Sequence, residues 1–309
     1  MSSPLSSVLV LGAGELGLEV IQNLANLSRL QQKETSITVL LRPQASSSSK
    51  DASAIEQLGC TIIRHDIAAL SVDNLADVLK SYDGVVSCTG FSAGPGTQIK
   101  ITKAALAANV KRFFPWQFGV DYDVIGQGSG QSLFDEQLEV RSILRGQSEV
   151  DWVIVSTGIF MSFVFEDAFG VVVGAKDPSA ESIYVRALGS WDNGLTVTAV
   201  EDIGKLTAAT LLDGDVKQQV VYTAGDTFTY ERLAEVVEAV TKKTVHKELW
   251  TRRHLAEDLN VEPGDTIRKY RVAFAAGKGV MWSKDASYNA QKDIPVTDIG
   301  SWLSQHVGV

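Results

Sequence analysis

The chain has 309 residues, 45% hydrophobic and 21% charged, which speaks against wholesale disorder and allows a large core divided between two lobes sharing one cleft. A formal net charge of −9 argues against a nucleic-acid binder, and only two cysteines, Cys60 and Cys88, argue against a disulfide framework. No basic-then-apolar leader follows Met1 and no apolar run reaches about eighteen residues, so the expectation is a cytoplasmic protein without a membrane span.

Ser7-Val8-Leu9-Val10-Leu11 is an apolar run of strand length, and Leu16, Val20, Ile21 and Leu24 then recur on one helix face. Between them lies Gly12-Ala13-Gly14-Glu15-Leu16-Gly17, a Gly-x-Gly-x-x-Gly turn. In a dinucleotide fold Gly12 makes the tight turn and Gly14 lets the backbone approach a pyrophosphate. Gly17 lets the helix pack closely, and the phosphates lie at the helix N-terminus beside Glu15 and Leu16. The alternative is a turn whose glycines serve packing alone. Residues 36–42 read as a second strand ending in Arg42, where an NAD-selective site would carry Asp or Glu. Arg42 suits the 2′-phosphate of NADP, and Lys50, beyond the serines at 46–49, adds a second charge; a solvated surface role is the alternative for both.

Residues 60–66 form a third strand, a helix covers about 72–81, and residues 84–90 form a fourth strand. Ligands of doubly wound sheets lie beyond the carboxyl ends of the strands, which makes Thr89, Gly90 and Phe91 candidate cofactor neighbours. Gly94-Pro95-Gly96 in the next loop is a helix stopper, and Thr97 is expected to cap a helix running to about Ala108. The alternation predicts an α/β fold: a Rossmann-like doubly wound parallel sheet. Further on, Ile159-Phe160-Met161-Ser162-Phe163-Val164-Phe165 is dense in aromatic and apolar groups. Phe160, Met161 and Phe163 are candidates for the wall of an aromatic pocket or, alternatively, for core between lobes. Asn193-Gly194 signals a hairpin, Thr198 with Glu201 a capping box, and Thr229 the cap of a helix over 230–241. The basic cluster Arg268-Lys269-Tyr270-Arg271 reads as a solvated helix face, with Tyr270 reaching a pocket mouth as the alternative, and the four histidines show no metal spacing.

Val110-Lys111-Arg112-Phe113-Phe114-Pro115-Trp116-Gln117-Phe118-Gly119-Val120-Asp121-Tyr122-Asp123 resembles the K-R-F-F-P-S-E-F-G-x-D-x-D signature of the isoflavone reductase-like group. That group belongs to the NmrA-like, atypical short-chain dehydrogenases. Arg42 with Lys50, Gln98-Ile99-Lys100-Ile101 and Val155-Ser156-Thr157-Gly158-Ile159-Phe160 agree with it. The resemblance implies an NADP-binding Rossmann-like domain over 1–158. A smaller α/β substrate domain would occupy mainly 159–309, with some segments returning to the first sheet. It implies NADP(H) as cofactor, with Pro115, Trp116, Gln137, Thr157, Gly158 and Phe160 among its neighbours. It also implies a small aromatic or apolar substrate against Trp116, Phe160, Met161 and Phe163; an oligomer is left open.

The chain departs from that group in three places. The phosphate turn is one residue shorter than the usual G-x-x-G-x-x-G, and Ser-Glu after Pro115 becomes Trp116-Gln117. The plant reductases carry a lysine four residues before the arginine of the next helix. Counting back from Arg141 gives Gln137, and no lysine occurs from Arg112 to Ala175. Glutamine bonds a ribose hydroxyl but has no titratable proton. Acid–base candidates are then Asp121 and Tyr122, with Asp123 nearby; a hydrogen-bonded turn closing that loop is the alternative. Tyr288 and Lys292 have short-chain dehydrogenase spacing, but they lie far from the expected helix and read as coincidence. Two functions follow: an NADPH-dependent reductase of an aromatic carbonyl, alkene or benzylic substrate, or a non-catalytic NADP(H)-binding redox sensor. Gln137 favours the second, and the apolar segment at 159–165 favours the first.

Overall fold

The computed structural model describes residues 5–30, 35–43, 49–90 and 93–307, the side chains of 49–51 left aside. Strand and helix first alternate through β1 (Ser7–Leu11), α1 (Glu15–Leu30), β2 (Ser36–Leu41), α2 (Ser49–Gln57), β3 (Thr61–Arg64), α3 (Val72–Leu79), β4 (Gly84–Ser87), α4 (Thr97–Ala107) and β5 (Arg112–Phe114). The side-chain pattern accounts for this. The strands β1, β2 and β4 are near-continuous buried runs, covered on both faces as parallel strands require. Helix α1 buries one stripe only, Leu16, Gly17, Val20, Ile21, Leu24 and Ala25.

Next come α5 (Tyr122–Ile125), α6 (Ser132–Arg145), β6 (Asp151–Ser156), β7 (Ile159–Phe160), α7 (Met161–Val164), β8 (Val172–Val173), β9 (Ser182–Leu188), β10 (Gly194–Thr198), α8 (Val200–Leu212) and β11 (Gln219–Tyr222). The chain finishes with β12 (Asp226–Thr229), α9 (Tyr230–Thr241), β13 (Thr244–Trp250), α10 (Arg252–Val261), α11 (Thr266–Ala275), α12 (Tyr288–Gln291) and α13 (Ile299–His306).

The described strands make a seven-stranded sheet of order β11-β6-β5-β4-β1-β2-β3 and two three-stranded sheets, β12-β10-β7 and β13-β9-β8. From β3 across to β6 every pairing is parallel, and the order reverses between β1 and β4, as a doubly wound sheet demands. Its core packs Leu9, Val85, Phe113 and Ile154 of the strands against Leu75 and Leu79 of α3, Ile101 of α4, and Val140 and Leu144 of α6.

Two compact units result: Met1–Phe118, Glu136–Val155 and Ile203–Val221 in the first, and Gly119–Asp135, Ser156–Asp202 and Tyr222–Val309 in the second. The division expected after residue 158 falls after 155, the loop at 119–135 joins the second unit, and 203–221 returns to the first. Hydrogen bonds explain the shift. Thr157 and Gly158 both donate their N–H to the Gly119 carbonyl, at 2.9 and 3.0 Å, and the Thr198 hydroxyl donates to the Thr157 carbonyl at 2.7 Å.

Local expectations meet the structure unevenly. Thr229 caps α9, accepting from the Arg232 N–H. Thr97 does not cap α4; Gly96 holds the cap position, and the Glu136 carboxylate accepts from the N–H groups of Gly96 and Gln98, at 3.0 and 2.9 Å. Thr198 belongs to β10, not to the start of a helix. Asn193-Gly194 makes no hairpin, because β9 and β10 lie in different sheets. Gly194 is needed instead for close approach, since a Cβ there would collide with the Phe228 carbonyl. The cluster at 268–271 is not a solvated face. Arg268 pairs with Asp258 and Glu262, while Arg271 donates to the carbonyls of Phe169 and Ala168 and lies 4.9 Å from the Trp250 ring centre. Cys60 and Cys88 are buried and unbridged, burial raising both thiols above their ordinary range. Among the described residues no helix is long and apolar enough to cross a membrane, and no cluster could hold a metal ion.

Candidate functional site

The carboxyl ends of β1, β4 and β5 open onto three loops, 12–14, 88–90 and 115–117, at one edge of the parallel sheet. In the first loop Gly12 has φ +92°, a region other residues avoid, and its N–H donates to the Leu40 carbonyl at 3.0 Å. A Cβ on Gly17 would collide with the Gly12 carbonyl, so the first turn of α1 rests directly on the loop. Gly14 is different: no atom lies within 4 Å of where its Cβ would stand. The same turn is thus closed at Gly17 and open at Gly14, just ahead of the first turn of a sixteen-residue helix whose dipole favours anions.

Glu15 is exposed and Leu16 buried. Arg42 is exposed immediately after β2. The Thr89 hydroxyl donates to the Leu11 carbonyl at 3.1 Å, tying the β4 loop to the end of β1. The indole of Trp116 lies over Gly90, 3.5 Å from where a Cβ would be. Pro115 is buried beside it. Phe91 and the side chain of Lys50 lie outside the described residues.

Gln117, the residue after Trp116, begins a buried polar group. Gln117, Gln137 and Arg141 are all fully buried. Arg141 Nε donates to Gln117 Oε1 at 2.8 Å, and Gln117 Nε2 donates to the Gln137 backbone carbonyl at 2.9 Å. The side-chain amide of Gln137 is left over: neither Oε1 nor Nε2 has a partner. Such a group is uncommon in native interiors and invites explanation. The bond from Gln117 and the Glu136 cap on α4 went unread in the sequence, because both depend on which residues face across between non-adjacent elements.

The remaining candidates belong to the second unit. Asp121 accepts from the Asp123 N–H at 3.2 Å and from the Tyr222 hydroxyl at 2.8 Å, and its own N–H donates to the Gly279 carbonyl. Tyr122 is buried edge-on to Phe134, with ring centres 5.2 Å apart. Thr157 and Gly158 are buried, and Gly158 (φ +72°) sits against the Thr196 carbonyl, where a Cβ would collide. Met161 is fully buried, whereas Phe160 and Phe163 are half-buried. Phe163 packs on Phe169 at 4.7 Å and on Tyr270 at 6.1 Å, and Tyr270 meets Phe134 at 5.6 Å. Burial pushes the Tyr270 hydroxyl up to about 12, so it stays a neutral donor throughout the ordinary pH range. Phe134 and Tyr222 carried no sequence signal, being single aromatics outside any motif.

A parallel doubly wound sheet with a glycine turn and helix N-terminus at its switch point defines a dinucleotide-binding class of protein. The profile of the NmrA-like family matches residues 4–276, and the chain belongs to that family. It is 40% identical over 305 residues to an NmrA-like family domain-containing oxidoreductase of Gibberella moniliformis (strain M3125 / FGSC 7600), covering 96% of this chain and 97% of the relative. Phenylcoumaran benzylic ether reductase TP7 of Nicotiana tabacum is 25% identical over 223 residues, 70% of this chain and 68% of that protein. The leucoanthocyanidin reductase of Vitis vinifera, solved as a binary complex with NADPH, superposes with a TM-score of 0.78 at 21% identity, covering 97% of this chain and 99% of that one.

Proposed function

We propose that this protein is an NADPH-dependent reductase of a small aromatic carbonyl, alkene or benzylic-ether substrate. The observation that carries the reading is the glycine turn, closed by packing at Gly17 and open at Gly14, where a phosphate's oxygens need the space that a side chain would fill. The residues fit the dinucleotide along its length. The 12–17 turn and the start of α1 would hold the pyrophosphate, and Arg42 the 2′-phosphate. Thr89 fixes the neighbouring loop, and Trp116 over Gly90 gives a flat wall that keeps water off a bound ring. The cofactor supplies a hydride when bound; the chain supplies orientation and apolar enclosure. The names of the family relatives, an oxidoreductase and a benzylic ether reductase, support the same chemistry. For the substrate, the support is the cluster of Phe134, Phe163, Phe169 and Tyr270, a surface suited to a flat apolar molecule.

One observation favours the sensor reading. Gln117 and Gln137, both fully buried in the first unit, carry amides, which do not titrate. Turnover decides between the two. NADPH consumption is followed over a panel of aromatic ketones, enals and benzylic ethers; a reductase oxidises NADPH with at least one class. Tight NADPH binding with no consumption across the panel moves the assignment to the sensor.

A further inference from the structure

The second unit carries an open sheet edge that differs from every other edge described. Among the described strands the edges β3, β7, β8, β11 and β12 have two to four residues, whereas β13 has seven, Thr244–Trp250. It pairs in parallel with β9 along its whole length, and no described strand lies on its other side. Thr244, His246, Lys247 and Leu249 are exposed, Leu249 to 46%. A long exposed edge offers a row of unmet N–H and C=O groups, and folded proteins normally shorten or block such edges. Lysine is one of the usual blocks, but Lys247 is already held by Glu231 of α9 at 2.5 Å.

The sequence of this edge is complementary to itself. Side chains alternate between the faces of a strand, so Val245, Lys247 and Leu249 share one face and His246 and Glu248 the other. A two-fold axis normal to the sheet runs two copies of β13 antiparallel and keeps like faces together. Centred on Lys247, it sets Val245 of one copy against Leu249 of the other, and His246 against Glu248, each pair occurring twice. The first pair is apolar. In the second, Glu248 accepts from Arg186 Nε through Oε2 at 2.6 Å, which leaves Oε1 to accept an imidazole N–H. Tyr184 is stacked on His246, with ring centres 5.1 Å apart, and holds that imidazole in place. The two Lys247 ammonium groups each bring Glu231 as counter-ion. Centring on His246 or Glu248 instead opposes Lys247 to Val245 or to Leu249, and at 248 it also brings two carboxylates together. We propose that β13 is a homodimer edge, at which two copies of the chain join their three-stranded sheets into one continuous sheet with Lys247 on the two-fold axis. A seven-residue edge is small beside a standard interface, so the dimer forms in the micromolar range. The inference is independent of the NADP(H) reading, because every residue it uses belongs to the second unit.

The test follows sedimentation of the full chain over a series from low to high micromolar protein. The wild type should pass from monomer to dimer. Leu249→Lys, at an exposed position, sets a charge against Val245 twice and should weaken the dimer about tenfold or more with an unchanged circular dichroism spectrum. Lys247→Cys should crosslink to itself under mild oxidation, because opposed residues of an antiparallel pair lie within disulfide reach, while Cys60 and Cys88 are buried. Thr244→Cys, at the far end of the strand from its own copy, should not. Should Leu249→Lys fail to fold, the two cysteine variants still decide. A wild type that stays monomeric throughout the series overturns the inference. So does a dimer that Leu249→Lys leaves intact, or one in which Thr244→Cys crosslinks as readily as Lys247→Cys, since either places the interface elsewhere.

Discussion

In the first unit the chain closes tightly on Gly17 yet leaves the space at Gly14 open. In the second it closes as tightly on Gly158 and engages the neighbouring N–H groups as well, both donating to Gly119. The same residue type at the same kind of strand-end turn therefore serves two ends. Around Gly158 lie the carbonyl of Thr196, the Gly119 carbonyl that accepts its N–H, and the Thr198 hydroxyl bonded to the Thr157 carbonyl. Around Gly14 the backbone is exposed, the helix N-terminus follows, and Gln137 of the same unit keeps an amide without a partner.

Substitutions can break that contrast, beginning with the largest effect. Gly158→Ala meets both a positive φ and the Thr196 carbonyl. It should cost about 4 kcal/mol, measured by chemical denaturation. Gly17→Ala, with a negative φ but a collision with the Gly12 carbonyl, should cost about 2–4 kcal/mol. Gly14→Ala should do the opposite: stability within about 0.5 kcal/mol of wild type, yet NADPH affinity down at least about tenfold as the methyl group enters the phosphate's space. A Gly14→Ala variant that unfolds early but binds normally would make Gly14 a packing position like Gly17. Arg42→Ala should weaken NADPH about tenfold and leave NADH unchanged, in parallel calorimetric titrations.

The smallest effect lies far from the site and concerns acid. Partial burial pushes the Asp83 carboxyl up, but bonds from Lys111 at 2.7 Å and from the Ser6 N–H and hydroxyl outweigh it and hold the group at about 2. A depressed carboxyl stabilises fully above its unfolded value near 3.8 and loses that contribution as pH falls through about 2. Denaturation midpoints of wild type and Asp83→Asn should therefore differ most at neutral pH and converge toward pH 2.

The first unit was legible because its signals are local. A strand of apolar residues, a glycine turn and a helix stripe sit within one stretch at 7–24, and the strand–helix alternation that follows predicts the parallel sheet, though not its strand order. Thr229 was legible as a cap for the same reason. Where a contact joins distant segments the reading failed. The cap of α4 comes from Glu136, thirty-eight residues beyond Gln98, and no pattern around Thr97 announces it. Asn193-Gly194 has the composition of a hairpin, but the flanking strands find other partners: β13 for β9, and β12 and β7 for β10. Arg271 reads as surface charge until its donors are seen on the carbonyls of Phe169 and Ala168, about a hundred residues earlier. Gln137 was found by counting from Arg141, but that its amide stands without a partner is a fact of three dimensions.

The most direct test of the central claim is a calorimetric titration of the wild-type protein with NADPH and NADH in parallel. NADPH should bind at least about tenfold tighter than NADH, the size of a charged phosphate contact, with the preference abolished in Arg42→Ala. Equal binding of the two would contradict the role given to Arg42, and binding of neither would contradict the reading of the turn at Gly12, Gly14 and Gly17.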